Sequence, residues 1–168
     1  FTRQNPGAKA ALLSGPPGIG KSSAAALMAR CLNFEVLELN ASDARSKKTL
    51  ETKLQDALGT RVFSFTKPKR RVIVMDEVDG MSSGDRGGAA QLAAMIKTTR
   101  TPIICICNDR DKASIRSLAN HCFDLKFQRP MKPQICKRML QVCKLEGLKV
   151  EENAMLELIE SVGNDIRQ

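Results

Sequence analysis

Residues 15–22 read Gly15-Pro16-Pro17-Gly18-Ile19-Gly20-Lys21-Ser22, between a short apolar run, 10–13, and an alanine-rich stretch. Glycines let successive backbone N–H groups turn toward an anion, and the N-terminus of a following helix adds positive potential. A lysine at this place reaches terminal phosphates, and a serine hydroxyl ligates Mg²⁺. The stretch therefore predicts a strand, a loop and a helix that bind a nucleoside triphosphate. The predicted nucleotide contacts are Gly15, Pro16, Pro17, Gly18, Ile19, Gly20, Lys21, Ser22 and Ser23.

Length and composition favour a globular protein with one full domain and part of a second. The chain has 168 residues, 42% of them hydrophobic and 27% charged, and its longest apolar runs are too short to span a bilayer. It begins at Phe1, without an initiator Met or a signal peptide. We therefore expect a fragment of a longer, intracellular protein.

The six cysteines form no CxxC pair, and there is a single histidine. This spacing suggests neither a zinc site nor a disulfide framework, and it favours reduced thiols.

The net charge of +9 is large for this length and is concentrated in residues 45–48 and 67–71. Such clusters are consistent with a polyanionic partner beyond the nucleotide, and equally with a solubilising surface. Aromatic residues are few, which does not support base stacking. We interpret 67–71 as a solvated loop before the next strand.

Apolar runs alternate with helical patterns, which predicts an α/β fold with a parallel five-stranded sheet covered by helices on both faces. After Pro130 only helical periodicity remains, so we expect a nucleotide-binding domain over 1–129 and a helical subdomain over 130–168 that is cut within its third helix. The predicted strands are 10–13, 34–39, 72–75, 103–107 and 122–127. The predicted helices are 21–32, 46–58, 86–97, 114–119, 134–146 and 152–161.

Two carboxylates follow the strand 72–75 directly. Asp76 is placed to hold the metal through water, and Glu77, one residue on, is placed to orient or deprotonate an attacking water. Paired acids at this point favour hydrolysis over phosphoryl transfer to a bound acceptor. The predicted metal ligands are therefore Ser22 and Asp76.

Asn108 comes directly after the strand 103–107. If that strand neighbours the one ending at Asp76, the Asn108 amide lies beside the attacking water, where it can donate to phosphate and accept from water. We therefore group Asn108 with Glu77 and Lys21 as candidate catalytic residues.

Together these motifs resemble the AAA+ ATPases, and more narrowly the large subunits of the eukaryotic clamp loader, replication factor C. The narrower resemblance extends from about Ala11 to the last residue. It depends on five stretches: 39–43 (LNASD), 75–81 (MDEVDGM), 84–88 (GDRGG), 107–110 (CNDR) and 163–168 (GNDIRQ).

The resemblance implies an ATP- and Mg²⁺-dependent subunit of a heteropentameric ring with small clamp-loader subunits. Such a ring opens a sliding clamp and places it on primer-template DNA in the nucleus, during DNA replication and repair. It implies no membrane association. Arg167 matches the family's lid arginine, which contacts the γ-phosphate.

Small subunits of the family carry Ser-Arg-Cys before their last sheet strand, with the arginine sent into a neighbour's site. This chain has Asn120, His121 and Cys122 there. A histidine does not supply a permanent positive charge at neutral pH. The departure implies a subunit that receives an arginine finger and gives none.

The resemblance also suggests contacts with the DNA backbone. Arg45, Lys47 and Arg86 lie near the predicted starts of the helices that follow the second and third strands, where the family's ring lines its central channel. Helix N-termini and arginine both favour phosphate.

Three alternatives stay open. One is the large subunit of another loader, linked to checkpoints or cohesion. A second is a ring subunit that holds ATP and scarcely hydrolyses it, which Lys21, Asp76 and Glu77 argue against. A phosphate-loop kinase is the third, and the paired acids and the helical lid disfavour it.

Overall fold

The computed structural model describes residues 8–41, 70–81 and 88–165. Within these ranges, strands and helices alternate and two helices follow the last strand. The strands are β1 (Ala10–Ser14), β2 (Phe34–Asn40), β3 (Arg70–Asp76), β4 (Ile103–Cys107) and β5 (Cys122–Lys126). The helices are α1 (Lys21–Cys31), α2 (Gly88–Thr98), α3 (Ala113–Ala119), α4 (Lys132–Leu145) and α5 (Glu152–Ser161).

The five strands form one parallel sheet in the order β2-β3-β4-β1-β5. The predicted α/β class and the five-stranded parallel sheet are thus confirmed. In register, Leu12 of β1 lies opposite Cys105 of β4, and Ile73 of β3 opposite Ile103. The carboxyl ends of all five strands therefore lie along one edge of the sheet, where ligands of such sheets gather.

The three central strands of the sheet, β3, β4 and β1, are apolar on both faces. All five residues of β1 are buried, and β3 and β4 contribute the buried Ile73, Met75 and Ile106. Helices cover these strands with small or branched side chains, such as Ala25 of α1 and Leu92 of α2. Strands buried on both faces read as continuous apolar runs, which explains why the sequence pattern predicted them.

Strand β3 begins two residues earlier than expected, at Arg70, so the interpretation of 67–71 as a loop is wrong for Arg70 and Arg71. Pairing with β2 extends the strand, because Arg71 lies opposite Glu35 and its Nε is 2.9 Å from Glu35 Oε2. The predicted helix 46–58 lies outside the described residues.

The described residues form two compact units, which we call the sheet unit (8–14, 21–41, 70–81 and 88–126) and the helical unit (15–20 and 127–165). Within the helical unit, α4 and α5 share a small apolar core. Its buried residues are Ile135, Cys136, Cys143, Met155 and Ile159.

Helix α4 starts two residues earlier than predicted, at Lys132. Pro133 lies in its first turn, where a missing N–H breaks no helical hydrogen bond. The Gln134 side-chain oxygen accepts the Met131 N–H at 3.1 Å and so satisfies a donor at the helix start. In the described part of the chain, no helix is long and apolar enough to cross a membrane.

Candidate nucleotide-binding site

Four predicted site residues meet at the carboxyl edge of the sheet. Lys21 and Ser22 open α1, Asp76 ends β3, and Asn108 follows β4. The strands β3 and β4 are neighbours, as the prediction for Asn108 required. The edge therefore brings together side chains from three separate segments of the chain.

Ser22 and Asp76 are in direct contact. The Ser22 hydroxyl donates to Asp76 Oδ2 at 2.6 Å, and the Glu77 N–H donates to Asp76 Oδ1 at 2.8 Å. A hydroxyl and a carboxylate are hard oxygen ligands of the kind that Mg²⁺ prefers, usually with several waters and a substrate phosphate completing its shell. The pair therefore fits a magnesium ion bound together with a nucleotide.

Lys21 is almost completely buried, at 6% exposure, and its Nζ donates to Asn108 Oδ1 at 2.9 Å. A buried ammonium group is stable only when polar groups or charges surround it. Asn108 itself is exposed, so it lies within reach of a ligand. This geometry joins two residues that the sequence placed at the site on separate grounds.

Glu77 adopts a left-handed backbone conformation, with φ 54° and ψ 39°. This conformation costs a residue with a side chain about 1–2 kcal/mol, and strained backbone clusters at functional sites. One of its carboxylate oxygens, Oε2, accepts a hydrogen bond from Asn40 Nδ2 at 3.3 Å. The adjacent carboxylates of Asp76 and Glu77 thus have different partners, Ser22 and Asn40.

Asn40 was missed as a site residue by the sequence reasoning. It is the last residue of β2 and lies opposite Asp76 in the register with β3. The available signal was its place directly after an apolar run, the same signal that singled out Asp76 and Asn108.

Cys107, the last residue of β4, is a packing residue. Burial, with a smaller contribution from the nearby Asp79 carboxylate, raises the pKa of its thiol to about 11. The thiol therefore stays protonated at neutral pH and is a poor nucleophile. All six cysteines lie in described ranges and are free thiols.

The phosphate loop belongs to the helical unit. At two of its positions the structure requires glycine, because there is no room for a Cβ atom. At Gly15, with φ 148°, a Cβ atom would lie 2.2 Å from the backbone oxygen of Phe127. At Gly18, with φ 74°, it would lie 2.1 Å from Asp165 Oδ1. At these two positions the loop follows a path that a residue with a side chain could not take without displacing its neighbour, and Asp165 is a neighbour that the sequence did not predict.

Several predicted residues are not part of this geometry. Ser23 is exposed in the first turn of α1, and His121 lies in the turn between α3 and β5. The remaining candidates lie outside the described residues. These are Arg45, Lys47, Arg86 and Arg167.

The fold and the phosphate loop define a class of nucleotide-binding protein, and comparison with family models identifies it. Residues 11–131 match the family described as "ATPase family associated with various cellular activities (AAA)", and the chain belongs to this family. Residues 132–168 match the "RFC1-like, AAA+ ATPase lid domain".

Within this family, the chain is clearly similar to large subunits of replication factor C. The chain is 47% identical to Replication factor C subunit 1 of Oryza sativa subsp. japonica and 46% identical to that of Homo sapiens, each over 95% of this chain. It covers only 17% and 15% of these two relatives. It is also 37% identical to the Replication factor C large subunit of Methanocorpusculum labreanum, over 96% of this chain and 34% of the relative.

A solved structure supports the fold. The chain matches a single-residue variant of Thermotoga maritima RuvB with a TM-score of 0.66 and 15% identity, over 88% of this chain and 47% of the other. At this identity the likeness concerns architecture alone.

Proposed function

We propose that this chain is the ATP-binding and ATP-hydrolysing part of a clamp-loader large subunit. The observation that carries the proposal is the meeting of Lys21, Ser22, Asp76 and Asn108 at one sheet edge, with Glu77 directly beside them. Membership of the AAA family and the identity to Replication factor C subunit 1 support it.

In the proposed mechanism, the backbone N–H groups of residues 15–20 surround the phosphates. Lys21, which donates to Asn108 in the structure, also donates to the γ-phosphate when the nucleotide is bound. Ser22 and Asp76 hold the metal, the latter directly or through water. When bound, Mg²⁺ would draw negative charge from the phosphate oxygens and so favour attack at phosphorus.

Glu77 and Asn108 act on the water in this proposal. The Glu77 carboxylate orients the water or accepts its proton, and the Asn108 amide holds it in line with the γ-phosphate. The contact between Asn40 and Glu77 holds the carboxylate at the edge of the site, 3.3 Å from the amide nitrogen. Arg167, by its match to the family's lid arginine, would contact the γ-phosphate.

The same proposal extends to assembly. Residues 1–129 would form the nucleotide-binding domain and 130–168 the beginning of the lid. The subunit would join smaller loader subunits in a five-membered nuclear ring, open a sliding clamp and place it on primer-template DNA. Arg45, Lys47 and Arg86 would contact the DNA backbone, and His121 marks a subunit that gives no arginine finger to a neighbour.

The test is ATP hydrolysis by the full-length protein with its partner subunits, in which clamp and primed DNA are omitted in turn. We expect each omission to lower the rate. We expect the isolated subunit to be slower by about three to five powers of ten, the value of an arginine supplied in trans in related phosphoryl chemistry. A rate that neither clamp nor DNA changes would contradict the proposed function.

A further inference from the structure

A short 3₁₀ turn, Val78–Gly80, follows β3 and carries an acidic residue, Asp79. The turn is anchored at both ends: Val78 is buried in the sheet core, and the Gly80 N–H donates to the Glu77 oxygen at 2.8 Å. Asp79 is therefore presented from a fixed point, two residues after Glu77 and at the end of the strand that carries Asp76.

The Asp79 carboxylate binds the end of the neighbouring strand. Its Oδ2 accepts two consecutive backbone N–H groups, from Asn108 at 3.2 Å and from Asp109 at 3.0 Å. Hydrogen bonds to an ionised acceptor are stronger than those between neutral groups. Because β3 and β4 are parallel neighbours, this one oxygen connects the segments that follow the carboxyl ends of the two strands.

A second contact runs between the same two segments. Lys112 Nζ donates to the backbone oxygen of Asp79 at 2.8 Å. Asp79 therefore holds the segment 108–112 with both its side chain and its main chain. Within that segment the Asp111 N–H donates to Asp109 Oδ1 at 2.9 Å, which tightens the turn.

The consequence concerns Asn108, whose side-chain oxygen accepts from Lys21. The direction of a short side chain is set largely by its backbone, and the backbone N–H of Asn108 is bound to Asp79. We propose that Asp79 is a positioning residue that fixes the Asn108 amide relative to Lys21 and Glu77 for the hydrolysis step. The proposal rests on the proposed function, and in it Asp79 acts through the backbone of Asn108 and not on the reacting atoms.

The experiment compares three variants of the full-length protein in its complex with partner subunits whose own nucleotide sites are disabled. Asp79→Ala removes both hydrogen bonds to the segment 108–109. Asp79→Asn keeps an oxygen acceptor in the same place and loses the charge. Asp111→Ala is the matched control, because it removes a carboxylate from the same loop that is 88% exposed and whose ion partner among the described residues is Arg116, at 4.0 Å.

Two quantities are measured for each variant: the affinity for MgATP and the single-turnover rate of hydrolysis. A misplacement of about 1 Å costs about 100-fold in rate, so we expect Asp79→Ala to hydrolyse about 30- to 100-fold more slowly with its affinity within about twofold. Asp79→Asn should lose about 3- to 10-fold by the same reasoning, and Asp111→Ala should match the wild type. This split between rate and affinity is not expected of a residue that only stabilises the fold.

Amide hydrogen exchange gives an independent check, because it needs no nucleotide. We expect the Asn108 and Asp109 amides to exchange faster in Asp79→Ala. Wild-type exchange there would overturn the proposal, and so would affinity that falls in parallel with the rate. If Asp79→Ala does not assemble, Asp79→Asn decides: a wild-type rate overturns the proposal, and a slower rate at unchanged affinity supports it.

The outcomes separate this proposal from the proposed function. A wild-type complex that hydrolyses ATP, with Asp79 variants that match it, removes the positioning role alone. A wild-type complex that binds no ATP or shows no hydrolysis at this site removes both.

Discussion

The sheet unit and the helical unit have apolar cores of very different size in the described residues. In the sheet unit every residue of β1 is at most 5% exposed, and the helices on its faces contribute further buried residues. In the helical unit the described core has five buried residues, against sixteen in the main core cluster of the sheet unit, and both units expose large apolar side chains, such as Leu32 at 63% and Leu145 at 81%. The first unit is a close-packed framework, and the second, as far as the structure describes it, has a thin core.

This difference bears on where the chemistry lies. The contacts among Lys21, Ser22, Asp76 and Asn108 are 2.6 to 2.9 Å long, and each residue lies at the end of a strand or the start of a helix in the sheet unit. Sites built on packed elements are held more precisely than sites on loops. Elements with few buried contacts open more readily. We therefore expect the helical unit to be the more mobile of the two on the timescale of hydrogen exchange.

The largest effects should come from the two cores. Leu12→Ala in β1 should cost about 3–5 kcal/mol, because the close-packed sheet cannot collapse around the cavity. Ile159→Ala in α5 should cost about 2–3 kcal/mol, because its surroundings can relax. Amide exchange followed by mass spectrometry would measure both locally. Equal losses of protection in the two units would show that the sheet unit is not packed more closely than the helical unit.

The next effect concerns the buried ammonium group. Lys21→Ala should lower ATP turnover by about 10²- to 10³-fold, because it removes a preorganised positive group aimed at the phosphates. Turnover of the assembled complex is the measurement. Lys9→Ala is the control, since the exposed Lys9 precedes the first residue of β1, at the opposite end of that strand from the site, and its Nζ donates to the backbone oxygen of Lys97. Equal rates in the two variants would show that the buried lysine has no part in the reaction.

A smaller effect is expected at the phosphate loop. Gly18→Ala should weaken ATP binding about fivefold to thirtyfold, because φ 74° costs a residue with a Cβ about 1–2 kcal/mol and the new methyl group displaces the Asp165 carboxylate. Gly147→Ala is the matched control: its φ is 73°, and nothing lies within 4 Å of the added Cβ. Titration with a fluorescent ATP analogue would show whether only the first variant loses affinity.

The smallest effect should come from the surface of the helical unit. Lys132 Nζ lies 2.5 Å from Glu160 Oε2, and this pair joins α4 to α5 in solvent. Lys132→Ala should change stability by less than about 1 kcal/mol, as exposed ion pairs generally do. A chemical denaturation curve shifted by several kcal/mol would mean that the helical unit depends on surface charge more than on its core.

Much of the fold could be predicted because its determinants are local. Continuous apolar runs specify strands buried on both faces, and the parallel arrangement sends residues such as Asp76 and Asn108 to one edge. The early start of β3 could not be predicted, because it depends on pairing with β2 and on Glu35 opposite Arg71.

The site was predictable only in part, for the same reason. Asn40 contacts Glu77 because of the register between β2 and β3 and because Glu77 is left-handed, and neither feature has a sequence signature. The contact of Asp79 with Asn108 depends on the pairing of β3 with β4. The contact of Asp165 with Gly18 depends on how the chain folds back to the phosphate loop. Contacts between distant segments are what the local patterns do not contain.

The most direct test of the hydrolytic site is Glu77→Gln in the full-length protein with its partner subunits, their own nucleotide sites disabled. Glu38→Gln, on the neighbouring strand β2, is the control. ATP affinity and single-turnover hydrolysis are measured side by side. We predict affinity within about threefold of the wild type and hydrolysis slower by about 10²- to 10⁴-fold, the contribution of a positioned general base. Hydrolysis at the wild-type rate would contradict the assignment of Glu77 and, with it, the account of this site as a hydrolytic one.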